Sequence, residues 1–121
     1  MPVNARSEKR NVVYATTLNN LAAVALATGR YPEAERFLRE VLAVYERTDG
    51  KESVVYLTGL NNLAAVHYMT GQYEQAARYY AEALAIIGRV LGTGHPDWAR
   101  TSKNLARARE KSGHRGKGEE R

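Results

Sequence analysis

The side chains in this chain that could do chemistry are few, and their spacing favours recognition over reaction. There is no cysteine among the 121 residues, so thiolate nucleophiles and disulfides are excluded. The three histidines, His67, His95 and His114, are far apart and lack the paired spacing of a metal site. His95 and Asp97 are two residues apart and offer only two ligands to a cation. No serine stands in a nucleophile motif, so no catalytic residue, cofactor or metal is expected and the chain reads as a non-enzyme. What does recur is amides and cations. Asn20, Asn62 and Asn104 stand 42 residues apart, with Asn19 and Asn61 preceding the first two and Lys103 the third. An amide both donates and accepts hydrogen bonds. Asparagine is also a mediocre helix former, so three in one register require a reason. Arg100, Lys103 and Arg107 follow at i, i+3 and i+7 and share one helix face.

The elements that must position these groups repeat themselves. Tyr14-Ala-Thr-Thr-Leu-Asn-Asn-Leu-Ala-Ala-Val returns as Tyr56-Leu-Thr-Gly-Leu-Asn-Asn-Leu-Ala-Ala-Val, and in decayed form as Trp98-Ala-Arg-Thr-Ser-Lys-Asn-Leu-Ala-Arg-Ala. Residues 14–55 laid over 56–97 give 19 identities in 42 positions. A fixed period of this size marks a stacked helical array. Within each repeat the spacing predicts two helices. Leu18, Leu21, Ala22 and Ala25 recur at three and four residues. Thr28-Gly29 ends that helix and Pro32 falls in the first turn of the next. Ala34, Leu38, Val41, Leu42 and Tyr45 continue an apolar stripe towards Asp49-Gly50. Leu60, Leu63, Ala64, Gly71, Tyr73, Ala76, Tyr80 and Leu84 copy the scheme. Asn11, Ser53 and His95 occupy the equivalent N-cap position; histidine is the poorest of the three, but Pro96 follows it.

The expected organisation is all-α: five helices in two and a half repeats. Residues 1–10 form a flexible N-terminus, 11–52 and 53–94 two repeats, 95–112 a capping helix, and 113–121 a disordered basic tail. Net charge is +5, unevenly spread: +3 over residues 1–30, −3 over 31–97 and +5 over 98–121. Basic ends suit an acidic partner, or simply solvate the ends of the stack. No apolar run approaches membrane-spanning length and the N-terminus has no apolar signal core, so a cytoplasmic location is the default expectation. The positive charge and eight tyrosines permit nucleic-acid binding. The acidic middle of the chain, and the placing of most tyrosines at packing positions, oppose it.

The quoted motifs, together with Thr28-Gly-Arg-Tyr-Pro-Glu-Ala-Glu and Leu91-Gly-x-Gly-His-Pro-Asp, resemble tetratricopeptide repeats, and more narrowly the 42-residue variety found in kinesin light chains. The usual period is about 34 residues. The resemblance covers residues 11–112 and implies a right-handed α–α superhelix that binds proteins without catalysis. It implies a concave groove lined by the leading helices: Thr16, Asn19, Asn20, Ala23 and Ala27, then Thr58, Asn61, Asn62, Ala65 and Met69, with Leu26 and Tyr68 at the edge, then Arg100, Lys103, Asn104 and Arg107. The asparagines correspond to the family residue that bonds a bound peptide's backbone; bonding between helices of the stack would serve them equally. The cations of the third helix incompletely resemble a clamp for a peptide's terminal carboxylate, since Asn19 stands where that clamp has a basic residue. Expected partners are therefore a protein or peptide, with an acidic segment the looser fit, and no small-molecule substrate.

Two and a half repeats fall short of the three or so that such arrays need. Trp98, Leu105 and Ala108 on the last helix, and Tyr45, Tyr79 and Ile87 on the second helices, are expected to be incompletely covered. Self-association through these residues would complete a scaffold-like stack.

Overall fold

A computed structural model describes the backbone of residues 5–46 and 53–120, and the side chains of residues 11–46 and 53–113. The described residues form five helices and no strand: α1 (Ala5–Ala27), α2 (Tyr31–Glu46), α3 (Val54–Met69), α4 (Tyr73–Val90) and α5 (Pro96–Glu120). The all-α expectation holds.

Helix ends follow local chemistry. α1 and α3 both stop at a glycine in the left-handed region, Gly29 at φ 78° and Gly71 at φ 82°. Each end closes with the same pair of bonds. Arg30 N–H donates to Ala25 O (2.7 Å) and Gly29 N–H to Leu26 O (3.2 Å); Gln72 N–H donates to His67 O (2.8 Å) and Gly71 N–H to Tyr68 O (3.1 Å). This double closure satisfies carbonyls that the helix end would otherwise orphan. α3 starts at Ser53, whose Oγ accepts the Tyr56 N–H at 3.0 Å. His95 proves a working cap as well: its Nδ1 accepts the Asp97 N–H at 3.1 Å.

Three boundaries differ from expectation. Asn11 caps nothing, because α1 already begins at Ala5. The break expected at Ser112-Gly113 is not made: helical backbone continues to Glu120. Once a helix is nucleated by packed residues, each further residue adds a bond without a new nucleation cost, so it runs past the last apolar side chain. The end of α2 near Asp49-Gly50, and residues 1–4, lie outside the described residues.

The chain divides into two compact units, residues 1–62 and 63–121, and the division falls inside α3 rather than between the repeats. In the first unit α1 and α2 form a hairpin around Ala15, Leu18, Ala22, Ala34, Leu38 and Val41, all buried. The first half of α3 lies on that hairpin. A Cβ added to Gly59 would stand 3.2 Å from both Val41 Cγ1 and Leu42 Cδ2, so glycine sets how closely α3 approaches α2. That packing is why the unit boundary passes through a helix. In the second unit Ala64, Ala76, Tyr80, Leu105 and Ala108 form a core that joins the last half of α3 to α4 and α5, with Tyr68, Tyr79 and Leu84 against it. Trp98 closes over Gly88, where an added Cβ would meet its ring at 3.0 Å.

Candidate binding surfaces

Leading helices α1 and α3 differ in kind from α2 and α4. From Asn11 to Ala27, and from Val54 to Met69, no Asp, Glu, Lys or Arg occurs. α2 and α4 instead keep one apolar stripe and one charged face. Of the eight large hydrophobic side chains exposed among the described residues, five lie on α1 and two on α3. The leading helices, and not the second helices of each hairpin, thus carry most of the exposed large hydrophobic side chains among the described residues.

In the first unit the amides divide. Asn19 is buried, and its Nδ2 donates to Val55 O at 3.1 Å. It ties α1 to the first turn of α3 and does not line a binding surface, which corrects its place among the expected contact residues. Between the two roles open to the amides, helix-to-helix bonding is the one Asn19 performs. Asn20, one residue on, is exposed; Asn61 and Asn62 are half-buried.

In the second unit an aromatic pair and a basic face adjoin. Tyr68 and Tyr73 meet edge to face with centroids 5.3 Å apart, and Lys111 Nζ lies 5.8 Å from the Tyr73 centroid. Met69 is exposed. Lys103 and Arg107 are exposed on α5, and Asn104 is half-buried beside them. Arg100 shares their face, but its guanidinium is held by Asp97 Oδ1 at 2.5 Å. Lys111 was not among the expected contacts, yet the signal was present: it occupies the register of Ala27 and Met69, four residues after Arg107.

The expected association residues mostly lie inside. Tyr45, Ile87 and Leu105 are buried, as is Ala108. Trp98 and Tyr79 are half-buried, Trp98 against Gly88 and Tyr79 at 5.2 Å from the His67 ring. The second helices bury their bulk after all, because each lies between two neighbouring helices of its own unit.

Titratable groups show structural roles. His67 is buried, with Nδ1–H donating to Leu63 O at 2.9 Å. Burial pushes the Tyr45 hydroxyl up from the usual tyrosine range, and Tyr80 likewise, helped by the neighbouring Tyr68. Tyr14 is raised mainly by its hydrogen bond to the Glu40 carboxylate. No group of three or more His, Asp or Glu among the described residues could hold a metal ion. No helix among them is long and apolar enough to cross a membrane.

Two matches to a family model of the tetratricopeptide repeat span residues 13–87 and 56–117. The chain belongs to the tetratricopeptide repeat family. The overlap of the two matches, residues 56–87, is the second hairpin read once as a follower and once as a leader. No curated protein matches the chain. Tetratricopeptide repeats mediate protein–protein interaction and are generally non-catalytic.

Proposed function

We propose that this tetratricopeptide chain is a non-catalytic interaction module whose second unit takes an acidic segment of a partner protein. The reading rests on one observation: Lys103, Arg107 and Lys111 line an exposed face of α5, and Lys111 lies over the Tyr73 ring, which itself meets Tyr68. Aromatic rings beside cations suit a peptide that alternates carboxylates with apolar side chains. Met69 adds apolar contact, and Asn104 supplies an amide to a peptide backbone. Arg100 plays a smaller part, because Asp97 already holds it. A terminal-carboxylate clamp is the weaker version, since Asn19 is both neutral and buried. The wider reading includes a 42-residue subtype resembling kinesin light chains, which accords with the repeat period, and a cytoplasmic setting; neither is needed for the binding argument.

The test is fluorescence anisotropy against labelled Asp/Glu-rich peptides, each with a free or amidated C-terminus. Arg107→Glu is expected to weaken binding about tenfold, a change of ~1.4 kcal/mol, and Asn104→Ala by less, with helical circular dichroism unchanged. Equal affinity of the wild type and both variants would sink the reading. Dependence on a free C-terminus would restore the clamp. Salt-steep, sequence-blind binding to nucleic acid in place of peptide would replace the proposal altogether.

A further inference from the structure

The second hairpin departs from the first on one side, and most of the departures share a sign. At the repeat register Glu33 and Glu35 of α2 become Gln75 and Ala77 of α4, and His67 of α3 becomes Arg109 of α5. Each change removes negative charge or adds positive charge. Pro32 becoming Glu74 is the change in the other direction, and Arg36 is kept as Arg78. In the structure these positions come together. Glu74, Gln75, Ala77 and Arg78 of α4, with Arg109 and Ser112 of α5, line one cleft of about 710 Å³ inside the second unit.

The polar groups of this cleft are uncommitted. Neither guanidinium, nor the Glu74 carboxylate, has an ion pair or side-chain hydrogen bond among the described residues; the Gln75 amide and the Ser112 hydroxyl have none either. The matching charges of the first hairpin are engaged locally. Glu33 pairs with Arg30 at 4.0 Å and Glu35 with Arg39 at 3.0 Å, and Arg36 lies 5.6 Å from the Phe37 centroid. The cleft is also separate from the basic face of Lys103, Arg107 and Lys111. Arg109 stands two residues from Arg107, about 200° around the helix, and Ser112 follows one turn later on the side of Arg109.

We propose that this cleft between α4 and α5 binds a carboxylate, held between the guanidiniums of Arg78 and Arg109. A guanidinium presents parallel N–H groups in the geometry of a carboxylate. Gln75 and Ser112 add uncharged donors. Glu74 sets the charge class. It offsets one of the two guanidiniums, and the single positive charge that remains is neutralised by one carboxylate. A phosphate monoester, at about −1.5 to −2 near neutral pH, would bring excess negative charge against Glu74. The cleft is of the size that takes a ligand body of roughly 300–1,000 Å³, so the carboxylate arrives on something larger: a free organic acid, or an Asp or Glu side chain of a partner.

Nuclear magnetic resonance of the arginine Nε–H groups tests the site on the full chain, at fixed ionic strength. The probes are acetate, an acetylated and amidated Ala-Glu-Ala peptide, and inorganic phosphate. The expected result is that both carboxylates shift the Arg78 and Arg109 signals together and saturably. Tighter binding of the peptide assigns the source as a partner's side chain; equal affinity assigns a free acid. Arg109→Gln should weaken binding about tenfold or more, the loss of a charged hydrogen bond. Arg109→Lys keeps the charge and loses the fork, and should also weaken it. Ala77→Glu, which restores the carboxylate of the first hairpin, should abolish it. These positions are exposed or half-buried, so helicity should stay unchanged. Shifts that never saturate, or Arg109→Lys binding as tightly as the wild type, overturn the site. Tighter binding of phosphate than of either carboxylate overturns the ligand class. Arg107→Glu should leave the Arg78 and Arg109 shifts unaltered, so failure of the peptide reading on the other face of α5 is read separately.

Discussion

Replacing Gly59 with valine probes the most tightly specified approach in the first unit. The new Cβ would lie 3.2 Å from Val41 Cγ1 and 3.2 Å from Leu42 Cδ2, with Asn19 Oδ1 at 3.6 Å. Val41 and Leu42 are both buried, so neither methyl has empty space to move into. Valine then adds two further methyls to that gap. Overpacking of a formed core costs about 1–3 kcal/mol. Against this stands the gain in helix propensity on leaving glycine, about 0.4 kcal/mol for valine. The net expectation is a loss of about 0.6–2.6 kcal/mol, read as a lower urea midpoint at unchanged slope by circular dichroism. Gly59→Ala separates the two effects: it gains up to ~1 kcal/mol of propensity and adds only the Cβ, so it should fall near the wild type. Thr17→Val, at the same repeat position but exposed, is the control and should shift stability by less than ~0.5 kcal/mol in dilute solution. If Gly59→Val is as stable as Thr17→Val, α3 does not rest on Val41 and Leu42, and the register on which the comparison of α1 with α3 depends is wrong.

Two further outcomes follow from backbone and titration. Gly71→Val places a β-branched residue at φ 82° and should cost about 1–3 kcal/mol; an unaltered melting temperature would contradict the turn. Burial holds the Tyr45 and Tyr80 hydroxyls above the ordinary tyrosine value of 10.0 in the folded chain. The folded state therefore holds these protons to higher pH than the unfolded state does, so their contribution is intact below about pH 10 and is lost as pH rises through the folded values. Helicity should accordingly fall together with the appearance of tyrosinate absorbance in alkali, and Tyr80→Phe should shallow that decline; a Tyr80→Phe titration that superimposes on the wild type would refute the assignment.

Much of the fold was legible because the signals were local. Gly29 and Gly71, Ser53, and the three- and four-residue spacing of Leu18, Ala22, Leu60 and Ala64 each state a turn, a cap or a face within one helical turn of themselves. The basic face of α5 was legible for the same reason. Two things were not. Asn19 and Asn20 are adjacent letters with the same chemistry, and only the approach of Val55 decides that one is buried and bonded while the other is exposed. The exposed apolar surface was expected on the second helices and on α5, because their side chains are bulky. It lies instead on α1, where the residues are the same as those of α3.

That misplacement has a physical source. A repeat copies residue types along with their register, so Tyr14, Leu21 and Val24 read as core wherever Tyr56, Leu63 and Val66 do. Burial is decided by whether a neighbouring helix exists, and no letter in the repeat states that. The information lies in the departures from the repeat. At the last leading helix, Leu18 and Leu60 give way to Ser102, and Ala25 and His67 to Arg109. At the first leading helix the uncovered positions keep their apolar types. Leaving a leucine, a valine and a tyrosine half in water forgoes roughly 0.7–1.5 kcal/mol of burial for each of them. Substitution by polar residues would have removed that cost, as it has on α5. The apolar positions on α1 thus keep the residue types of α3 without the burial that α3 has at the same register.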